Sequence, residues 1–355
     1  MGVCAFRIRG LEMTPTRTPQ AQGGTTPLAA SQIIDRLTPI WQHILQCPQI
    51  GVDDNFFDLG GDSSLALQLF DEIAEVFGRE LPPVTIYYAS TLSTLAALLE
   101  GSNPPRFSPS VLLKPGAAEP AVFITHGLGG TVMDFFQVIK NMKTPHPIYG
   151  MQARGIDGID APFDRIEDMA TFYVEAVRKI QPHGPYLLVG YSLGGLVTLE
   201  MARQLSGTGE KIALLAMLDS YPHTSRLSPA QRARLAMQQA RFRLSTKLKL
   251  RSATMPYQHP NENALSPTLQ RLREQAYVAL EHYQPSFYAG RVKFVRAGTV
   301  TGFPADPATV WGAFTQQLEV ETIPGDHLGI MTTHHEYLAA ALSRYIREAL
   351  SSERN

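Results

Sequence analysis

Cysteine is scarce in this 355-residue chain: Cys4 and Cys47 are the whole supply, so a disulfide framework is excluded and a thiolate metal cluster is argued against. A long apolar run is missing too. The longest, Ile212 to Leu218, falls far short of the roughly 20 residues that a membrane-spanning helix requires. Neither sign of charge dominates: 31 Lys and Arg stand against 32 Asp and Glu, for a formal net charge of -1. No global field therefore points to nucleic acid or to an anionic membrane. The first residues hold no basic patch followed by an apolar stretch, and Phe6 stands where a myristoylation signal requires Ser or Thr. These absences predict a cytoplasmic protein with neither nucleic acid nor membrane as partner.

What is present is material for cores. Hydrophobic residues make up 44% of the chain and charged residues 18%, which excludes wholesale disorder. At about 150 residues per domain the length predicts two or three units. Residues 1–30 read as a flexible leader, their stretch 14–30 being rich in Thr, Pro, Gln and Gly, and Met13 offers an alternative start to Met1. A second Pro-rich stretch, residues 101–120, reads as a linker. It separates a small unit at 31–100 from a large one at 121–355.

The small unit reads as a bundle of about four helices. Ile33, Ile34, Leu37, Ile40, Trp41, Ile44 and Leu45 share one face, with Pro39 expected to kink or restart that helix. Leu65 to Phe77, stopped at Gly78, and Thr91 to Leu99 supply further apolar stripes. In the large unit, strand-like runs at 122–125, 148–151, 186–189, 212–218 and 292–295 alternate with helical patterns such as Ile166 to Ile180. That alternation argues for a mostly parallel sheet with helices on both faces.

Tyr186 to Val189 runs straight into Gly190-Tyr191-Ser192-Leu193-Gly194 and then an amphipathic stretch. Strand, G-x-S-x-G and helix in succession make Ser192 a candidate nucleophile, turned out at the carboxyl end of its strand. A serine hydroxyl needs a base, the base needs an orienting acid, and such a fold takes them in the chain order Ser, acid, His. Asp219 ends the next apolar strand, and His327 follows the run Leu318 to Ile323. Asp326 is an alternative acid, and His334 and His335 are alternative bases. The loop Thr125-His126-Gly127-Leu128-Gly129-Gly130 can present backbone N–H groups, so Leu128 and Leu193 are the expected oxyanion donors. His126 reads as a brace for that loop.

From about Ala121 to Leu350 the chain resembles the type I thioesterase domains that terminate nonribosomal peptide and polyketide synthases, within the α/β-hydrolase fold. The phrases HGLGG, YGMQARGIDG, QPHGPYLLVGYSLGG, EMARQL, LLAMLDS and GDH carry the likeness. The resemblance implies a covalent acyl-Ser192, with His327 as base and Asp219 as its orienting acid. It also implies a helical lid at about 222–290.

In the small unit, Asp53-Asp54-Asn55-Phe56-Phe57-Asp58-Leu59-Gly60-Gly61-Asp62-Ser63-Ser64-Leu65 reads locally as a loop and a helix start, with Asp62 or Ser63 as N-cap. The segment resembles the 4'-phosphopantetheine attachment site of peptidyl and acyl carrier domains. That implies a covalent arm on Ser63, with Ser64 the alternative. A helix amino terminus suits a phosphodiester, since its N–H groups and dipole favour negative charge.

Near-zero net charge hides two patches. Residues 51–100 hold nine acids against Arg79 alone, and residues 222–261 hold eight bases and no acid. Complementary charge would steer carrier to lid. The combined expectation is a carrier and thioesterase didomain that hydrolyses a tethered acyl, peptidyl or polyketide chain. Its partners are upstream synthetase or synthase modules, a phosphopantetheinyl transferase and its own carrier, in an intramolecular contact. Macrocyclisation or transfer by the same triad, a free-standing esterase, and a non-catalytic carrier and docking protein are the alternatives.

Overall fold

The computed structural model describes residues 29–101, 106–248, 266–299, 303–304 and 306–351. The expected leader lies outside these, apart from Ala29 and Ala30.

Helix α1 (Ala30–Leu45) buries Ile33, Leu37, Ile40, Trp41 and Ile44, and it runs through Pro39 without restarting. A proline removes one N–H from the ladder, and here the apolar face on either side of it holds the helix in place. Helix α2 (Ser63–Phe77) is capped by Asp62 and ends where Gly78 takes φ 64°. Helix α3 (Leu92–Glu100) opens with a capping box of Thr91 and Thr94. A short 3-10 turn at Pro83–Tyr87 completes the unit of about four helical segments, three of them α-helices. Trp41 meets Phe56 edge-on at 5.3 Å at its centre. Arg79 donates to the carbonyls of Leu99 (2.7 Å) and Gly101 (2.5 Å), fastening the end of α3.

The second unit is built on one sheet: β1 (Ser110–Lys114), β2 (Val122–Thr125), β3 (Ile148–Met151), β4 (Tyr186–Tyr191), β5 (Ile212–Leu218), β6 (Tyr288–Ala297) and β7 (Thr315–Ile323). The strand order is β1-β3-β2-β4-β5-β6-β7, with β1 antiparallel to β3 and every other pair parallel. Strand β1 falls inside the stretch read from sequence as linker. Five residues flanked by Pro109 and Pro115, at an edge with Leu112 exposed, leave little apolar signal.

Alternate residues of the central strands feed two cores. Phe123, Leu188, Leu215 and Met217 face α5 (Ile166–Ile180) and α6 (Leu193–Gly207). On the other face, α4 (Phe136–Asn141) and the later helix α10 (His335–Ser351) cover Val122, Ile124, Leu187 and Val189. Between β5 and β6 lie α7 (Pro229–Leu248) and α8 (Pro267–His282), where the lid was expected; the intervening 249–265 lies outside the described residues. Helix α9 (Ala308–Trp311) precedes β7. Among the described residues, no helix is long and apolar enough to cross a membrane.

Candidate active site

Parallel strands present their carboxyl ends along one edge of the sheet, and the loops there carry the expected residues. Strand β4 ends at Tyr191 and α6 begins at Leu193, so Ser192 alone makes the turn, at φ 56° and ψ -120°. The turn closes only because its neighbours lack side chains. A Cβ on Gly194 would lie 2.3 Å from the His126 carbonyl oxygen, and one on Gly190 would lie 2.2 Å from that of Gly194. Asp219 leaves β5 at φ 46° and is 3% exposed.

These strand ends bring the three residues together. His327 Nε2 lies 3.1 Å from Ser192 Oγ, and His327 Nδ1 lies 2.8 Å from Asp219 Oδ2. The second carboxylate oxygen of Asp219 accepts from the Ala297 N–H at 3.0 Å, which fixes its plane. With Nδ1–H donating to the carboxylate, Nε2 presents its lone pair to the serine hydroxyl. The alternatives are engaged elsewhere: Asp326 accepts from the Gly329 N–H at 2.7 Å, and His335 bonds the Thr332 carbonyl. The His334 ring packs beside Tyr337, 6.1 Å between centroids.

The loop after β2 lies against Ser192, since a Cβ on Gly127 would sit 3.6 Å from its Cβ. Among the described residues, no protein acceptor takes the N–H of Leu128 or of Leu193. His126 holds this loop. Its Nδ1 donates to the Gly127 carbonyl at 2.6 Å, and its Nε2 accepts from the Tyr173 hydroxyl at 2.6 Å. Burial pushes its pKa from 6.5 down to about 4, so the ring is neutral at pH 7. A cleft beside the loop is lined by Leu128, Ala153, Phe163, Met169, Leu272 and Ala276, and α8 supplies one wall.

Sequence reasoning missed the ring packing around the base. Tyr191 stacks on His327, and Phe303 lies on it with ring centroids 5.0 Å apart. The identity of the residue between Gly190 and Ser192 was the available signal.

Ser63 is the first residue of α2 and half-buried, and among the described residues its hydroxyl has no hydrogen bond. Ser64 differs: its hydroxyl donates to Asp62 Oδ1 at 2.7 Å. Asp62 Oδ1 also takes the N–H groups of Ser64 (2.9 Å) and Leu65 (3.0 Å). Two of the helix-start donors expected to meet a phosphodiester are thus already satisfied, leaving the dipole and the Ser63 N–H. The unengaged Ser63 hydroxyl fits a covalent attachment, and the Ser64 hydroxyl is the less available of the two.

Family comparison agrees with both halves. The thioesterase domain model matches residues 120–346, and the phosphopantetheine attachment site model matches residues 35–99. A dimodular nonribosomal peptide synthase of Bacillus subtilis (strain 168) is 41% identical over 188 residues, which is 53% of this chain and 8% of that protein. Indigoidine synthase of Dickeya dadantii (strain 3937) is 36% identical over 179 residues, 50% of this chain and 12% of that protein. This chain thus spans a small fraction of the relatives it matches. Among solved structures, a four-domain nonribosomal peptide synthetase bound to AMP and glycine aligns over 94% of this chain and 27% of its own, with a TM-score of 0.55 and 24% identity, a likeness of fold. The chain belongs to the thioesterase domain family, in the α/β-hydrolase fold, and carries a phosphopantetheine attachment domain ahead of it.

Proposed function

We propose that the chain is the releasing end of a synthetase assembly: an acyl or peptidyl chain held as a thioester on the small domain passes to Ser192 and is hydrolysed. The observation that carries this reading is the Ser192–His327–Asp219 constellation at 3.1 and 2.8 Å, on the strand ends where an α/β-hydrolase works. Ser63 is the attachment residue, supported by its unengaged hydroxyl. When bound, the phosphopantetheine arm supplies a terminal thiol that carries the acyl group.

The chemistry of the chain's own residues follows from the geometry. His327 Nε2 takes the Ser192 proton as Oγ attacks the thioester carbonyl, and Asp219 holds the imidazolium through Nδ1–H. The N–H groups of Leu128 and Leu193 receive the developing oxyanion; losing one such donor costs on the order of 3 kcal/mol. His327 returns the proton to the leaving thiolate, then activates water to hydrolyse the acyl-Ser192. Helices α7 and α8 act as the lid. Upstream modules supply the acyl chain and a phosphopantetheinyl transferase supplies the arm from coenzyme A, in the cytoplasm.

The test is intact-protein mass spectrometry after co-expression with the upstream synthetase. In Ser192→Ala the cargo accumulates on Ser63 and its mass names the substrate; an unloaded Ser63 or a cargo released at the wild-type rate overturns the reading. A cyclic product with no free acid from the wild type would overturn hydrolysis in favour of macrocyclisation.

A further inference from the structure

The small domain rests on the thioesterase domain through aromatic rings. Phe57, in the loop that leads to Ser63, stacks on Phe136 of α4 with centroids 5.3 Å apart and planes at 25°, and it also packs on Tyr87 at 5.0 Å. Tyr88, just past the 3-10 turn, stacks on Phe107 at 4.9 Å and 16°. The Tyr88 hydroxyl donates to the Ser108 carbonyl (2.9 Å) and accepts from Nε2 of the fully buried Gln152 (2.6 Å). The polar links are all made by that one hydroxyl: among the described residues, no ion pair joins residues 29–101 to the rest. Of the eight lid bases, Arg226 is spent within the lid, donating to the carbonyls of Glu281 and His282, and the five from 241 to 251 lie outside the described side chains.

We infer that these contacts form the delivery seat of the carrier: the thioesterase recognises it by aromatic stacking on Phe136 and by the Tyr88–Gln152 bond, without help from carrier–lid charge. The inference rests on reading Ser63 as the loaded residue and Ser192 as its acceptor. Position supports it on both sides. The loop from Phe57 to Ser63 is folded tightly, with Gly60 N–H on the Phe57 carbonyl at 3.2 Å and Gly61 N–H on the Phe56 carbonyl at 2.9 Å, so Phe57 and Ser63 belong to one hydrogen-bonded loop. On the other side, Phe136 follows the turn that begins with the oxyanion loop at 126–130. Aromatic anchors in packed contacts are the usual centres of binding energy, and a tethered partner multiplies their effect through effective concentration. A seat built on stacking predicts an unloading rate that is flat with salt, whereas charge steering predicts a steep fall.

The experiment compares two substrates on the full chain. Octanoyl groups are installed on Ser63 by a phosphopantetheinyl transferase and octanoyl-coenzyme A, and single-turnover unloading is followed by quenched intact-mass measurement. The N-acetylcysteamine thioester of octanoate, which needs no carrier, reports the hydrolase alone. Phe136→Ala and Phe57→Ala should each slow unloading about tenfold or more while turnover of the soluble thioester stays within twofold, and wild-type unloading should change less than twofold between 50 and 500 mM salt. Unchanged unloading in Phe57→Ala, or a wild-type rate that collapses with salt, overturns the seat. Phe57→Ala decides the case if Phe136→Ala also impairs the soluble reaction, because Phe57 lies outside the thioesterase fold. A wild type inert toward both substrates would instead sink the thioesterase reading itself.

Discussion

Tyr191 and His327 lie face to face, with ring centroids 4.9 Å apart and planes at 23°, and the Tyr191 hydroxyl donates to the His327 backbone carbonyl over 2.8 Å. The residue before Ser192 therefore grips His327 by its ring and by its backbone. The same tyrosine, 4% exposed, also supports the oxyanion loop, for a Cβ on Gly127 would lie 3.1 Å from its Cδ1.

Removing that grip should misplace the imidazole without touching the substrate. Tyr191→Leu is expected to lower kcat on a soluble acyl thioester by about 10- to 100-fold with KM nearly unchanged, since small misplacements of a catalytic group have effects of that size. Tyr191→Phe keeps the stack and should retain most activity. Equal damage in both variants would assign the effect to the carbonyl bond.

The two serines at the start of α2 should part cleanly. Ser63→Ala should gain no mass when incubated with coenzyme A and a phosphopantetheinyl transferase. Ser64→Ala should load as the wild type does and lose about 1 kcal/mol of stability with its bond to Asp62. Loading of Ser63→Ala would move the attachment site to its neighbour.

His126 should make the fold acid-sensitive. The unfolded chain takes up a proton on this ring below about pH 6.5, while the folded chain refuses it until about pH 4. The stability of the neutral, buried ring is therefore complete above pH 6.5 and declines as pH falls to 4. The full difference is on the order of 3 kcal/mol. Urea midpoints at pH 7.5 and pH 5 should differ more in the wild type than in His126→Asn. Parallel slopes would remove His126 from the acid response.

Gly194→Ala tests the elbow. Its methyl would lie 2.3 Å from the His126 carbonyl oxygen and 2.4 Å from that of Thr125, both backbone atoms that cannot swing aside. A loss of about 3 kcal/mol in denaturant titration is expected, together with loss of turnover. A variant as stable as the wild type would mean that the loop after β2 can retreat.

The central sheet was legible in the sequence because β2, β4 and β5 are apolar on both faces, so each prints as an unbroken run. Ser192 and Asp219 could be named because each stands just after such a run, and His327 because it follows the alternating stretch Leu318 to Ile323 by a short turn. Strand β1 escaped because one short edge strand between prolines carries almost no periodic signal. The bundle of about four helices read from the sequence resolves into three α-helices and a 3-10 turn that opens at Pro83. The seat was the least legible feature, because the relation of Phe57 to Phe136 is fixed by how two domains meet and leaves no mark in local spacing. Charge counts pointed to the lid, where Arg226 serves the carboxyl end of α8 and the bases from 241 to 251 lie outside the described side chains.

The connection between the domains has one further meaning. Gly101 is held by Arg79 on one side, and Phe107 is stacked against Tyr88 on the other, so both ends of the short stretch 102–105 are fastened to the same carrier. At about 3.8 Å per residue, Gly101 and Arg106 can separate by no more than about 20 Å. A carrier that travels back to a distant donor for its next cargo must first peel Phe107 off Tyr88. On the proposed function, the tempo of reloading then depends on how readily one pair of rings comes apart.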